Sequence, residues 1–449
     1  MSKEVAKRFL EFINQTGSPY HSVAACKQLL VAKGFECLSE KTSDWKVSRG
    51  GKYFITRDHS EIFAFVVGKQ FDAKTSGIVM IGAHTDSPCL MIRPHSHQLR
   101  EKHIQLGVST YGGGLWHTWF DRGLGVAGKL IYRTSSGSLV EALVKIDRSV
   151  CFIPNLAIHL LSNDERKAFD VNTENHLMPV FATTKTVPEA PTIAGHHPAF
   201  IKLLKDSAGC PEDAEITDIS LCLFDATPGQ FVGVSDEFVQ SGRIDNQLST
   251  WAAFDSLASE DSNEHDISIA AAFNHEEVGS SSATGADSQT VANWISKILK
   301  ALKADDMHSV LARSILVSAD CAHGIHPNYS SKHQAEHKVY LQGGVVFKGN
   351  VNQRYSTTCV TSALARQVCK LGSVPVQDFL VRNDSPCGST IGPMLSANLG
   401  IRSIDIGATQ WAMHSCRETC GVDDVMNIRQ ACAAFYKYWR QVDDSHREI

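Results

Sequence analysis

Several absences narrow this sequence before any motif does. No uninterrupted apolar stretch approaches the ~20 residues that a helix needs to span a bilayer. Charge of one sign is equally scarce: 43 Lys and Arg face 48 Asp and Glu, for a formal charge of -5 with histidine neutral. No run of like charges is long enough to meet a polyanion, which argues against nucleic acid. There is no repeat of solenoid period and no low-complexity tract. The segment Met1 to Arg8 mixes acidic and basic residues in an amphipathic pattern, with Val5, Phe9, Phe12 and Ile13 on one face, and it has no signal-peptide h-region. The expectation is a soluble intracellular protein, with cytoplasm as the default. Cysteine is plentiful at thirteen, but the number is odd and the residues are scattered, so reduced thiols are expected. Cys416 and Cys420 are spaced for one helical face, yet no second pair at zinc-finger spacing accompanies them. They read as small buried apolar residues.

A chain of 449 residues with 43% hydrophobic content can bury a large core and exceeds the usual size of one domain. Periodicity predicts helices near 3–15 and 21–33 and strands at 61–68 and 77–84. From about residue 95 the pattern becomes short alternating segments with Gly and Ser punctuation, including 105–109, 125–132 and 139–146; loops follow over 170–198, then a strand at 219–224. Beyond about 236 a βαβ rhythm returns: helix 246–258, strand 267–273, helix 290–303, strand 314–319, helix 357–371, strand 401–406, helix 422–440. The first α/β segment is too small to close a sheet alone. The fold expected is therefore a discontinuous α/β domain (1–94 and 236–449) interrupted by a β-rich inserted domain (95–235).

The strand ends carry the chemistry. His84-Thr85-Asp86 ends one apolar run, Glu276-Glu277 follows another and Asp320 ends a third, which aims ligand-type side chains at one sheet edge, where open α/β folds place their ligands. Adjacent carboxylates can divide two tasks, one binding metal while its neighbour moves protons. A single His or Asp at a strand end is more often a cap, but three such strands together are hard to explain by capping. The candidate ligands are His84, Asp245, Glu277, Asp320 and His414, with Asp86 and Glu276 as close companions. Imidazole beside carboxylate suits Zn²⁺ or Mn²⁺ better than Mg²⁺ or Ca²⁺. Five ligands exceed one tetrahedral zinc and suit two ions about 3.5 to 4 Å apart sharing a carboxylate; Asp245, at a loop-to-helix junction, is the expected bridge. Asp86 can accept the N–H that His84 does not spend on metal. His323 and His326 flank the Asp320 loop and are further candidates for the pocket lining.

In their settings these residues resemble the M18 metallopeptidases, the aspartyl aminopeptidases. The matching segments are His84-Thr85-Asp86-Ser87-Pro88, Gly112 through Arg122, Gly242-Arg243-Ile244-Asp245-Asn246, Asn274 through Ser280, Asp320 through Tyr329, and Ala412-Met413-His414-Ser415. The resemblance implies a zinc-aminopeptidase-like α/β/α catalytic domain and a cocatalytic two-zinc centre. His84 and Asp320 would hold one ion, Glu277 and His414 the other, and Asp245 would bridge. Glu276 would be the general base acting on a metal-bridging water, and Asp86 the orienting carboxylate. It implies an insert that serves dimerisation, homododecamers of tetrahedral symmetry, and removal of N-terminal Asp or Glu from peptides. Lys348 and Tyr355 are the residues it offers for substrate contact, and His159 the one it sends to a neighbour's active site. Gly123, after Asp121-Arg122, stands where the family usually has a second acidic residue. The metal shell alone also allows a two-metal amidohydrolase acting on N-acyl amino acids. A non-catalytic, metal-stabilised scaffold is the reading from another class, and a purely structural site has no use for an unliganded base such as Glu276.

Overall fold

The computed structural model describes residues 1–259 and 262–447. Its largest sheet is built from short runs rich in β-branched residues and alanine. Ile78–His84, Ile267–Phe273 and Ile315–Ala319 are buried at every position, the pattern of strands covered on both faces. The nine strands lie in the order Glu36–Cys37, Lys52–Arg57, Glu61–Val67, Ile267–Phe273, Ile78–His84, Ile315–Ala319, Arg402–Gly407, Val345–Lys348 and Val376–Phe379. The four from Ile267–Phe273 to Arg402–Gly407 run parallel, so their carboxyl ends share one edge.

Alternation along each strand feeds two cores. Val79 and Ile81 face a core with Phe9, Trp251, Phe435 and Trp439, contributed by the helices Ser2–Ile13, Ile244–Ser259 and Val422–Asp443. Ile78 and Met80 face the other, with Phe63, Trp294 and Leu395, against Thr290–Ala301 and Ile391–Leu399. The result is the expected α/β/α layering. No described helix is long and apolar enough to cross a membrane.

A second, six-stranded sheet is antiparallel throughout, ordered Leu139–Cys151, Leu124–Arg133, Glu215–Asp225, Cys89–Arg100, His103–Tyr111 and Val180–Thr183. It has its own core of Leu90, Leu106, Val126, Leu130 and Leu223, which the helix Pro198–Ala208 completes with Phe200 and Leu204. Its strand Cys89–Arg100 begins before residue 95 and escapes the periodicity reading because Arg, Pro and His interrupt its alternation. A five-stranded sheet of very short strands, Gln230–Val232, Phe238–Ser241, Glu418–Gly421, Thr409–Trp411 and Ala322–His323, lies at the site edge. Cys420 sits on one of these strands, so the pair Cys416 and Cys420 does not share a helix; both are buried free thiols.

Glu61 opens its strand opposite Arg57 and is fully buried, and neither carboxylate oxygen has a hydrogen-bond donor among the described residues. Burial lifts its carboxyl to about 8, with Arg57 opposing and Glu40 adding to the rise. The folded chain thus keeps a proton that the unfolded chain releases near 4.5, and stability falls as pH rises through that interval. The slope is at most about 1.4 kcal/mol per pH unit. In Glu61→Gln the urea midpoints at pH 5 and pH 8 should lie closer together than in the wild type; an unchanged separation would reject this account.

Candidate active site

Register delivers the site. Phe273 pairs with His84, and Ser318 with Gly82, so His84, the Glu276-Glu277 turn and Asp320 leave the sheet side by side. Adjacent residues on an extended chain point to opposite faces, and both glutamates reach the cleft only because the chain turns. His275 is left-handed (φ 64) and leads into a single 3₁₀ turn, Glu276–Val278. Asp245 stands at the start of Ile244–Ser259, where it and Asn246 have non-helical dihedrals. Side chains just beyond it tie the helix to the strand ends: Asn246 Nδ2 donates to the Ala319 carbonyl (2.8 Å), Gln247 Nε2 to Thr85 (2.7 Å) and Thr250 Oγ1 to His84 (2.7 Å). His414 follows the strand Thr409–Trp411 in a left-handed conformation (φ 65).

The five candidate ligands converge. His84 Nε2 lies 3.4 Å from Asp245 Oδ1, 3.7 Å from Asp320 Oδ1 and 3.9 Å from Glu276 Oε2. His414 Nε2 lies 3.5 Å from Asp245 Oδ2 and 3.5 Å from Glu277 Oε1. Asp245 therefore faces both imidazoles, one oxygen to each. The Nδ1 atoms point away, 3.1 Å from the Asp86 carbonyl for His84 and 3.0 Å from the Gly113 carbonyl for His414; each ring is thereby fixed with Nε2 toward the carboxylates. The Asp86 carboxylate spans two backbone amides, accepting from Glu276 N and Glu277 N at 3.1 Å each, and takes the Tyr111 hydroxyl at 2.7 Å.

Burial alone would lower the His84 and His414 pKa values, yet the surrounding carboxylates outweigh it. Asp245, Asp320 and Asp86 raise His84 well above its ordinary value, and Asp245 and Glu277 lift His414 to about 10. Burial pushes Glu276 up to about 7, with Asp320 and Asp86 adding and His84 opposing. The cluster draws in positive charge, and a divalent cation can replace the protons. Asp245 Oδ1 and Glu277 Oε1 are buried without a hydrogen-bond donor among the described residues, and three overlapping sets of donor atoms are compact enough to hold an ion: His84, Asp245 and Asp320; His84, Glu276 and Glu277; Asp245, Glu277 and His414. This oxygen-and-imidazole donor set fits a zinc-type cation.

These residues line a cavity of about 340 Å³ with His323, Lys348, Tyr355, Phe379 and Met394. Lys348 is buried, its Nζ 3.5 Å from Asp320 Oδ2 and 5.4 Å from the centre of the Tyr355 ring. Burial, helped by His333 and Lys348, takes His323 down to about 4. His326 packs at a tilt against Tyr329 and is not part of this lining. Nor is His159, which sits exposed in the short turn Ile158–Leu160. At Gly123 a Cβ would fall 2.1 Å from Ser149 Oγ, which leaves no room for an acidic side chain. Tyr111 and Glu418 escaped sequence reading. Neither ends an apolar run, and Glu418 joins its near neighbour in sequence His414 to Asp245, which only folding brings close.

A sheet edge with imidazoles and carboxylates converging around a shared Asp defines a metallohydrolase. The sequence pattern described as Aminopeptidase I zinc metalloprotease (M18) matches residues 12–436, and the chain belongs to this family of metallo-aminopeptidases. Among its relatives, the aspartyl aminopeptidase of Caenorhabditis elegans is 41% identical, with 97% of this chain and 95% of that protein aligned. A chain in the cryo-EM structure of the Ape4 and Nbr1 complex superposes with a TM-score of 0.95 at 37% identity, covering 100% of this chain and 88% of the other. The S. cerevisiae mApe1 dodecamer superposes with a TM-score of 0.87 at 29% identity, covering 100% and 99%.

The second sheet also reaches the site. Beyond its strand His103–Tyr111, Gly113 accepts from His414 Nδ1, and Leu115 N donates to the His414 carbonyl at 2.9 Å. Gly112, at φ +73, lets this loop pass over the glutamate turn; a Cβ there would meet Glu277 Cβ at 3.2 Å. Gly112→Ala combines left-handed strain of about 1 kcal/mol or more with that clash. A loss of kcat/KM on the order of tenfold is expected with little change in melting temperature, and full activity would show that the close approach is immaterial.

Proposed function

We propose that this chain removes acidic residues, Asp or Glu, from the N-termini of peptides, using two divalent cations, Zn²⁺ by the family description. The observation that carries this reading is the coincidence, in one cavity, of five ligand-type side chains, an additional glutamate and a buried lysine. His84 and Asp320 would hold one ion, Glu277 and His414 the other, and Asp245 would bridge them. When bound, such ions supply Lewis acidity toward the scissile carbonyl and the attacking water.

The chain's own residues do the rest. Glu276 takes a proton from the water as its oxygen bonds to the carbonyl carbon. It gives that proton to the departing amine as the C–N bond breaks, so that one water is consumed per peptide bond. Burial favours the neutral carboxyl that Glu276 must form on accepting the proton before it returns it. Asp86 keeps Glu276 and Glu277 in place through their amides. Lys348 and Tyr355, with His323 nearby, form the wall that would receive the substrate's side-chain carboxylate. A buried ammonium rewards that group and is left poorly compensated by an apolar side chain.

The relatives named as aspartyl aminopeptidases support the acidic preference. We propose further that the catalytic unit comprises 1–94 and 236–449, and that the intervening β-rich segment mediates dimerisation. Twelve subunits in a tetrahedral shell would result, consistent with the S. cerevisiae relative solved as a dodecamer. Phe152, Leu156, Ile158, Leu160 and Phe169 are exposed on that segment, a patch suited to burial against another copy, and His159 among them would reach a neighbour's cleft. All thirteen cysteines are free, which accords with a reducing, cytoplasmic setting.

Glu276→Gln should lower kcat by at least about 10²-fold, the lower range for loss of general base catalysis, while metal content by elemental analysis stays unchanged; retained turnover would reject Glu276 as the base. Lys348→Ala should reduce the ratio of kcat/KM for Asp over Leu anilides by roughly 10- to 100-fold. A ratio that stays at the wild-type value would remove Lys348 from the specificity wall, and cleavage of N-acetylated substrates at comparable rates would favour an amidohydrolase instead.

A further inference from the structure

We propose that Glu418 is a positioning residue for this centre, and that its carboxylate sets the relative placement of Asp245 and His414. The inference rests on the two-cation reading above, in which these two side chains share an ion. Glu418 begins the strand Glu418–Gly421 and is buried. Its Oε2 accepts from the Asp245 backbone N–H at 2.9 Å and its Oε1 from the His414 backbone N–H at 2.7 Å. One carboxylate thus grips the main chain of two ligands that come from distant parts of the sequence, and among the described residues it lies outside every donor set compact enough to hold an ion.

The main chain that carries this carboxylate is itself held firmly. Its residue pairs with Ser241 on the neighbouring strand. The adjacent Arg417 is pinned by Asp225 and by the carbonyls of Thr227, Pro228 and Gln240. His414 needs such a grip, because a left-handed backbone at a non-glycine residue is strained. Its N–H is taken by Glu418, its carbonyl by Leu115 N and its Nδ1 by the Gly113 carbonyl.

Only an acceptor on both sides serves here. A carboxylate offers two oxygens and no donor, whereas glutamine must turn its NH₂ toward one of the two backbone N–H groups. Asp86 does the same for the amides of Glu276 and Glu277. Two buried carboxylates outside the compact donor sets of the described residues therefore anchor the main chain of four residues whose side chains would face the cations. The effect of Glu418 is directional: it acts on two of the three residues on the His414 side, Asp245 and His414, and on only one, Asp245, of the three on the His84 side.

The test is a Zn²⁺ titration of metal-free full-length protein against a competing chelator, read as stoichiometry and stepwise affinity. Wild type should take up two ions. Glu418→Gln should bind one with near wild-type affinity and the second about 10- to 100-fold more weakly, the range for lost outer-shell partners. A merely structural role would weaken both ions alike or neither, and either result would overturn the assignment while leaving the two-cation reading intact. A wild type that binds fewer than two ions would overturn that reading and this inference with it. Should Glu418→Gln fail to fold, Glu418→Asp keeps the charge but shortens the reach, and the same differential loss is expected of it.

Discussion

Repulsion among buried carboxylates is the constraint around which this protein is organised. Asp86, Asp245, Glu276, Glu277, Asp320 and Glu418 lie in or directly beneath one cleft, where low polarity strengthens their mutual repulsion. The fold answers in three ways. Backbone amides are aimed at Asp86 and Glu418, imidazoles face Asp245 and Glu277, and the Lys348 ammonium faces Asp320. Asp245 Oδ1 and Glu277 Oε1, which the imidazoles face without a hydrogen bond among the described residues, remain a standing demand for cations. Catalytic metal chemistry and the stability of the sheet edge thus draw on the same electrostatics.

Main-chain hydrogen bonding makes that crowding possible. The ladder pairing Phe273 with His84 and Ser318 with Gly82 leaves no freedom in which strand ends emerge together. The helix that begins beside Asp245 is stitched to those ends by Asn246, Gln247 and Thr250. Side chains held this way are largely pre-arranged and would lose little entropy on closing around an ion.

The legible parts of the molecule were those with local causes. Continuous apolar runs such as Ile267 to Phe273 revealed the central strands, and a polar ligand-type residue just past each run revealed His84, Glu276, Glu277 and Asp320. The strands Lys52–Arg57, Val345–Lys348 and Val376–Phe379 and the helix Ile391–Leu399 escaped, since four to nine residues give a period little room to declare itself. The five-stranded sheet escaped for the same reason, and with it Glu418. A residue whose partners are the backbone amides of Asp245 and His414 has no local signature, because any sequence supplies backbone amides. His414 and Lys348 carried meaning mainly through family resemblance. The sequence pattern makes Asp86 a partner for the His84 ring; its carboxylate lies 3.5 Å from His84 Nδ1, while its shorter bonds go to the glutamate turn and Tyr111.

The loop after Tyr111 couples two sheets. Because Gly113 and Leu115, just beyond the strand His103–Tyr111, hold His414 on both sides, the antiparallel sheet is structural mortar for the cleft as well as a layer with its own core. A version trimmed of that sheet and its loop would lose the orientation of one imidazole.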